Sequence, residues 1–223
     1  MGGSIQEGAP LVVIWTIYRR SRDRYREIAA AIYSGTKWPD LLIVGCEDEE
    51  DADKVDYLRR VGAEILIVPT PKENDRYLLI PYSLKINAAL DLVASRYEDA
   101  VITYCTDDSK PSNKKYELMY EECIARKTVV YCSQLRVYGM HEANSIVHNA
   151  YCVIDHTQVM HPLSEDRWPV RPEEADIRLG DAHFWLRLHA RFGPFYPVPG
   201  ALDIIVREEG ERGITTDGWI VSR

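Results

Sequence analysis

The residues best suited to do chemistry are two adjacent carboxylates, Asp107 and Asp108, in the run Tyr104-Cys105-Thr106-Asp107-Asp108-Ser109-Lys110-Pro111. They follow a buried-strand pattern from Ala100 to Tyr104. Their side chains therefore leave a strand end, where one or two carboxylates plus phosphate oxygens can hold a hard divalent cation. Aspartates in turns also cap helices or bond their own backbone. Arg19-Arg20 and Lys85, cations that fall on the same sheet edge, favour the metal, because phosphate needs positive charge opposite it. A further acid, Asp181, follows Gly180 and precedes Phe184-Trp185-Leu186-Arg187-Leu188. On pattern alone it is an acid at a helix start, favoured by the helix dipole; at the mouth of a cleft it can take a proton from an acceptor hydroxyl.

Other chemistries lack their signatures. The six histidines, at 141, 148, 156, 161, 183 and 189, have no metal-ligand spacing and read as surface or hydrogen-bonded core residues. GxxxxGK[ST], GxGxxG and GxSxG are all absent from the sequence. Phosphate binding must then rely on a metal and cations instead of a glycine cradle.

The elements that position these residues alternate. Leu11 to Tyr18 is a strand run ending in Arg19-Arg20, and Arg22 to Ser34 places Tyr25, Ile28, Ala29, Ile32 and Tyr33 on one helical stripe. Leu41 to Val44 is a second strand, closed by the acidic run Glu47 to Asp51. A helix carrying Val55, Leu58 and Val61 stops at Gly62, and Glu64 to Val68 is a third strand ended by Pro69 and Pro71. A polar loop over 70–82 leads to Ser83 as the cap of a helix reaching Ser95, and Ala100 to Tyr104 is the fourth strand. This order predicts an α/β fold with a mostly parallel, right-handed sheet. Ligands of such sheets bind at carboxyl strand ends, here Tyr18 to Arg20, Cys46 to Asp48 and Thr106 to Asp108. Beyond a helix over 113–125 the pattern shifts to antiparallel or mixed strands over 128–138 and 145–160, then a helix from Asp181 to Gly193 and a strand from Ala201 to Val206.

Composition sets the outer bounds. The 223 residues, 46% hydrophobic and 28% charged, can bury a substantial core, and disorder, collagen and a disulfide scaffold are excluded. The net charge of -8 disfavours nucleic acid as a partner. Five cysteines without a CxxC pair suggest buried thiols in a reducing cytoplasm. Residues 1–10 read as a flexible tail without signal-peptide character, and no apolar run is long enough to span a membrane. A single domain over 11–223 is expected, with residues 11–112 binding a nucleotide and 113–223 facing an acceptor.

Five segments together resemble glycosyltransferase family 2, of the GT-A, Rossmann-like fold. They are Val12 to Arg20, the acidic end of the second strand, Ser83-Leu84-Lys85-Ile86-Asn87-Ala88-Ala89-Leu90, Tyr104 to Asp108, and Gly180-Asp181 before Phe184 to Leu188. The similarity runs from about residue 11 to about residue 207, in the family's order and approximate spacing.

The resemblance implies an inverting, metal-dependent glycosyltransferase of hexosyltransferase type. It would use a nucleotide-diphosphate sugar, UDP-linked by preference, with Mn or Mg. Thr16, Tyr18 and Arg19 would line the nucleotide, Glu47 or Asp48 would bond the base, and Lys85 and Asn87 match the donor-side helix. Thr106, Asp107 and Asp108 would close the donor site, Asp107 and Asp108 holding the metal, and Asp181 would be the catalytic base. The chain departs from the family pattern at Cys105, which stands for the first Asp of the metal motif, at Gly180, which replaces the Glu before the base, and at Glu208-Glu209, near where relatives carry a metal-binding His. Cys105 offers no hard oxygen, which leaves the metal to Asp107 with Asp108 or Glu209. Two other readings follow: a nucleotide-sugar-binding protein that has lost turnover, and, more weakly, a nucleotidyltransferase, which lacks its glycine-rich loop here. The acceptor, a saccharide or another hydroxyl compound, and any homo-oligomerisation are not encoded in a readable motif.

Overall fold

Apolar runs rich in Val, Ile and Leu form the centre of one nine-stranded sheet. Its elements are β1 (Leu11–Thr16), α1 (Arg22–Tyr33), β2 (Leu41–Cys46), α2 (Glu49–Val55), β3 (Glu64–Ile67), α3 (Leu79–Arg96), β4 (Val101–Cys105), β5 (Ser109–Pro111), α4 (Lys115–Arg126), β6 (Val130–Tyr138), β7 (His141–Ala143), β8 (Val159–Pro162), α5 (Gly180–Phe192) and β9 (Tyr196–Arg207). The structure, a computed structural model, describes residues 5–71, 79–138, 141–143, 154–170 and 180–207.

The strand order is β3-β2-β1-β4-β8-β6-β9-β5, with β7 paired to β6. The first four strands are mutually parallel. Chain order reverses at β1, which has β2 on one side and β4 on the other, so the crevice beyond the carboxyl ends of β1 and β4 is the topological switch point. The remaining strands form a mixed extension, with β8 antiparallel to β4 and β6, β6 parallel to β9, and β5 antiparallel to β9.

Period-two alternation divides the core into two layers. Leu11, Val13, Trp15 and Ile17 pack with Tyr25 and Ile28 of α1, Val55 of α2 and Met119 and Cys123 of α4. Val12 and Ile14 face the opposite way, onto Ile86, Leu90 and Val93 of α3 and Phe184, Trp185 and Leu188 of α5. Both faces of β1 and β2 are therefore covered and every residue in them is buried.

Ser21 caps α1 by accepting from the Arg24 N–H at 3.2 Å. The expected stop at Gly62 holds, at φ 85°, after a 3-10 turn over Asp56–Val61. Three elements differ from the sequence reading. The described part of helix α3 begins at Leu79, so Ser83 lies inside it, buried, and does not cap it. Within the strand expected over 145–160, residues 145–153 lie outside the described region and His156–Gln158 is a 3-10 turn. The Asp155 carboxylate accepts from the Thr157 N–H and the Gln158 side chain accepts from the Asp155 N–H, a reciprocal cap that overrides local β propensity. Of the residues expected as a loose tail, Ile5 and Ala9 are buried, and the Ala9 carbonyl accepts from the Tyr120 hydroxyl, while Gln6, Glu7 and Gly8 are exposed. No helix among the described residues is long and apolar enough to cross a membrane.

Candidate functional site

Three strand ends meet at the switch point, and each carries polar side chains held by buried partners. At the end of β1 the chain turns through Tyr18, Arg19 and Arg20. Arg19 has a φ of 51°, a left-handed conformation that a non-glycine residue holds only with local support. Buried Asp51 supplies that support, accepting from the Arg19 N–H (3.0 Å) and the Tyr25 hydroxyl (3.2 Å); the same hydroxyl accepts from the Arg20 N–H (2.9 Å).

At the end of β2, Glu47 pairs with Lys85 (2.9 Å), whose side chain is fully buried. Lys85 reaches this point from α3 by crossing β2 at Gly45, where an added Cβ would lie 2.9 Å from the Lys85 Cβ. Its Nζ also donates to the Ile17 carbonyl (3.3 Å) and lies 5.2 Å from the Tyr18 ring centre. Glu47 takes two more donors from Thr70, N–H at 2.7 Å and hydroxyl at 3.0 Å. Burial opposes its ionisation, but the donors from Lys85 and Thr70 prevail and hold the carboxyl below its usual range.

At the end of β4, Thr106 begins the acidic turn. Its carbonyl accepts from the Trp15 indole (3.1 Å), and its hydroxyl donates to Asp108 Oδ1 (2.6 Å). The Asp107 side chain is 5% exposed and pairs with Arg20 Nε at 2.7 Å. Burial, aided by the adjacent Asp108 charge, pushes the Asp107 carboxyl up to about 6 against the pull of Arg20. The turn is fixed from behind. Ser109 Oγ accepts from the Thr106 N–H (3.0 Å), the Asp108 carbonyl accepts from the Val206 N–H (2.8 Å), and Arg24 donates to the carbonyls of Asp107 (3.4 Å) and Val206 (2.6 Å). Tyr82 joins the two clusters: Lys85 Nζ lies 5.7 Å from its ring, and its hydroxyl pKa is raised first by burial and then by Asp107 and Asp108.

The structure thus brings together Tyr18, Glu47 and Lys85 in one cluster and Thr106, Asp107 and Asp108 in another. Thr16 Oγ1 is buried beneath them with no hydrogen-bond partner among the described residues. Asp48 instead caps α2, accepting from the Asp51 N–H (2.9 Å). Asn87 is turned toward the segment after β8, donating to the Trp168 carbonyl (3.0 Å) and accepting from its N–H (2.8 Å). Asp181 lies in the first turn of α5, and its side chain falls outside the described residues, as do Glu208 and Glu209. Sequence reading missed Asp51, Tyr25, Arg24 and Tyr82. Arg24 and Tyr25 sit on a helix, away from any strand end, and only the turn of α1 over the sheet edge exposes their role.

Among the described residues no group of three or more His, Cys, Asp or Glu converges as a metal site. The acidic turn does offer two hard carboxylates, a donor set that suits Mg or Mn sharing phosphate oxygens and water. Cys105 does not contribute. Its thiol faces Ser109 Oγ at 3.2 Å, and burial pushes its pKa up to about 12.

No protein-family profile matches the sequence. Solved structures do match the fold. The crystal structure of S. aureus TarS aligns at TM-score 0.65 and 10% identity, over 88% of this chain and 37% of that one. TarS 1-349 in complex with UDP-GlcNAc aligns at 0.63 and 10% identity, over 91% and 60%. The mannosyltransferase PcManGT from Pyrobaculum calidifontis, in complex with GDP-Man and Mn2+, aligns at 0.59 and 12% identity, over 95% and 60%. The chain spans between 37% and 60% of the length of these proteins. It has their Rossmann-like, GT-A-type fold, as the sequence resemblance implied.

Proposed function

We propose that this protein is an inverting glycosyltransferase that moves a sugar from a nucleotide-diphosphate donor to an acceptor hydroxyl. The observation that carries the reading is the acidic turn at the switch point of a GT-A-type sheet, where buried Asp107 pairs with the cation Arg20 and Asp108 adjoins it. Structures of the same fold hold UDP-GlcNAc in one case and GDP-Man with Mn2+ in another, which supports a nucleotide-sugar donor and a divalent cation here.

In this reading Tyr18 offers an aromatic face to the base and Glu47, kept ionised by Lys85, offers it an acceptor. Thr16 and Arg19 line the same nucleotide. Asp107 and Asp108 would hold Mn or Mg, which supplies positive charge to the leaving diphosphate. Asp181 takes the proton from the acceptor hydroxyl. Asn87 and Asp48 act at one remove, by holding the Trp168 segment and the start of α2. Residues 11–112 form the donor half and 113–223 the acceptor half. Four buried free thiols, Cys46, Cys105, Cys123 and Cys132, support a cytoplasmic setting.

Asp181→Asn is expected to leave donor binding intact and lower turnover about 100-fold or more. Calorimetry with UDP- and GDP-sugars beside a transfer assay measures both, and full turnover in the variant sinks the assignment. A second reading, a nucleotide-sugar-binding protein without turnover, draws on the commitment of Cys105 to Ser109 in place of an acidic ligand. Donor binding with neither hydrolysis nor transfer would favour it.

A further inference from the structure

We propose that Arg20 and a divalent cation exchange on Asp107. The guanidinium occupies the carboxylate while the cation and donor are absent and transfers to the donor's diphosphate when they bind. The inference rests on the nucleotide-sugar reading above and adds to it a residue with two alternating partners.

The geometry fixes the main chain of the turn and places the Arg20 guanidinium on Asp107. Arg20 N–H is held by the Tyr25 hydroxyl, which in turn donates to Asp51, and Asp51 also fixes the Arg19 N–H. The main chain of the turn is therefore held, while the Arg20 side chain is 31% exposed and the carboxylate it pairs with is 5% exposed. Nε stands 2.7 Å from Asp107 Oδ2, and a Mg ion would need the carboxylate oxygens at about 2.0 to 2.1 Å, so two positive groups would crowd one anion. The exchange relieves this, because a bound nucleoside diphosphate brings oxygens that suit a forked guanidinium.

Neighbouring cations serve the main chain of the turn and the Glu47 cluster. Arg24 is tied to the main-chain carbonyls of Asp107 and Val206, so it holds the acidic turn still while Arg20 moves. Lys85 is buried against Glu47 and the Ile17 carbonyl. The two arginines of one turn thus divide the work: Arg24 fixes the turn and Arg20 serves its carboxylate.

Mn(II) binding, followed by electron paramagnetic resonance of the free ion, tests the exchange in the wild type, Arg20→Gln, Arg20→Lys and Asp107→Asn, with UDP and GDP as probes. Without nucleotide, Arg20→Gln should take up Mn about fivefold more tightly than the wild type, since a competing charge is gone. With nucleotide the order should reverse, Arg20→Gln binding the Mn-nucleotide about tenfold more weakly and Arg20→Lys falling between. Unchanged or weaker Mn uptake by Arg20→Gln alone overturns the competition; unchanged nucleotide affinity overturns the transfer. Equal nucleotide-dependent Mn uptake by the wild type and Asp107→Asn instead removes Asp107 as a ligand, so the underlying metal assignment fails and the exchange falls with it. A measurement on the unaltered protein stands beside these in case Arg20→Gln folds poorly. The 15N-labelled Arg20 Nε–H signal should shift on adding Mg with UDP or GDP, and its persistence at saturation would overturn the proposal.

Discussion

The two halves of the sheet use polar groups in opposite ways. In the front half, β1 to β4, the strands themselves are apolar and polar side chains gather at their carboxyl ends, where Arg20, Glu47 and Asp107 stand at a crevice. In the back half, polar groups lie within the packing. Lys115 of α4 pairs with Asp203 of β9 at 2.7 Å, both essentially without solvent contact, and Lys115 Nζ also donates to the Thr157 carbonyl. Where the halves meet, the Tyr104 hydroxyl of β4 contacts Nε2 of His161 in β8 at 2.7 Å, amid the rings of Trp168 and Phe184. The difference teaches that the front half keeps its charged groups at strand ends, where the proposed donor would meet them, while the back half encloses its polar groups in the packing of a mixed sheet. Defects in the back should read out as stability, and defects in the front as binding.

The largest expected effect tests the buried pair. Burial alone would lower the Lys115 pKa, but Asp203 beside it raises it instead, so the ammonium persists. Asp203→Ala leaves that ammonium buried and unpaired and should cost about 3 to 5 kcal/mol, or about 10 °C in melting temperature. Replacing both partners with Met and Leu should recover most of the loss. A fall of less than about 1 kcal/mol in Asp203→Ala, by urea denaturation, would mean that the back half is not held this way.

A smaller and pH-dependent effect comes from His161. Its Nδ1–H donates to the Pro162 carbonyl (2.8 Å), leaving Nε2 to accept from Tyr104, and burial lowers its pKa from an ordinary 6.5 to about 4, with only Asp166 and the Pro162 carbonyl pulling the other way. The unfolded chain therefore binds a proton that the fold refuses. The stabilisation from keeping His161 neutral is complete above about pH 6.5 and is lost as pH falls toward 4, at about 1.4 kcal/mol per unit. His161→Gln keeps a donor and an acceptor without a titrating ring, and its stability should vary less over that window. An identical pH profile for wild type and variant would refute the assignment.

The same contrast explains what could be read in advance. Strand β1 and helix α1 were legible because period-two and 3.6-residue patterns report directly on which side chains are buried, and Gly62 marked its turn. The strand-end position of Glu47, Asp107 and Asp108 was legible because each follows an apolar run, whereas Asp48, in the same kind of place, caps a helix. Lys115, Asp203 and Thr157 break the apolar pattern of a core and carry no local mark of burial; the Lys115–Asp203 pairing spans 88 residues in the chain and no local period encodes it. Arg24 and Asp51 escaped for a related reason, since each serves the site by bonding main-chain atoms across elements.

The subtlest test lies at Gly45, where the front half joins packing to presentation. The residue is in β2, and its lack of a side chain is what lets Lys85 pass across the strand to Glu47. The Cβ added by Gly45→Ala would meet the Lys85 Cβ at 2.9 Å, next to the α3 backbone, where no rotamer change can move it away. Helix α3 must shift by a few tenths of an ångström, at a cost of about 1 kcal/mol, the low end for overpacking. That loss is well below the one expected at Asp203, yet the shift draws Nζ from Glu47 and the Ile17 carbonyl and loosens the two groups proposed to meet a base. Gly45→Ala should therefore weaken UDP or GDP binding several-fold while leaving the melting temperature within a few degrees, whereas Asp203→Ala should do the reverse in any fraction that remains folded. If calorimetry shows nucleotide affinity unchanged in Gly45→Ala, the Lys85–Glu47 pair belongs with Lys115–Asp203 as internal packing, and the line between a presenting front and a locking back has to be redrawn at the acidic turn.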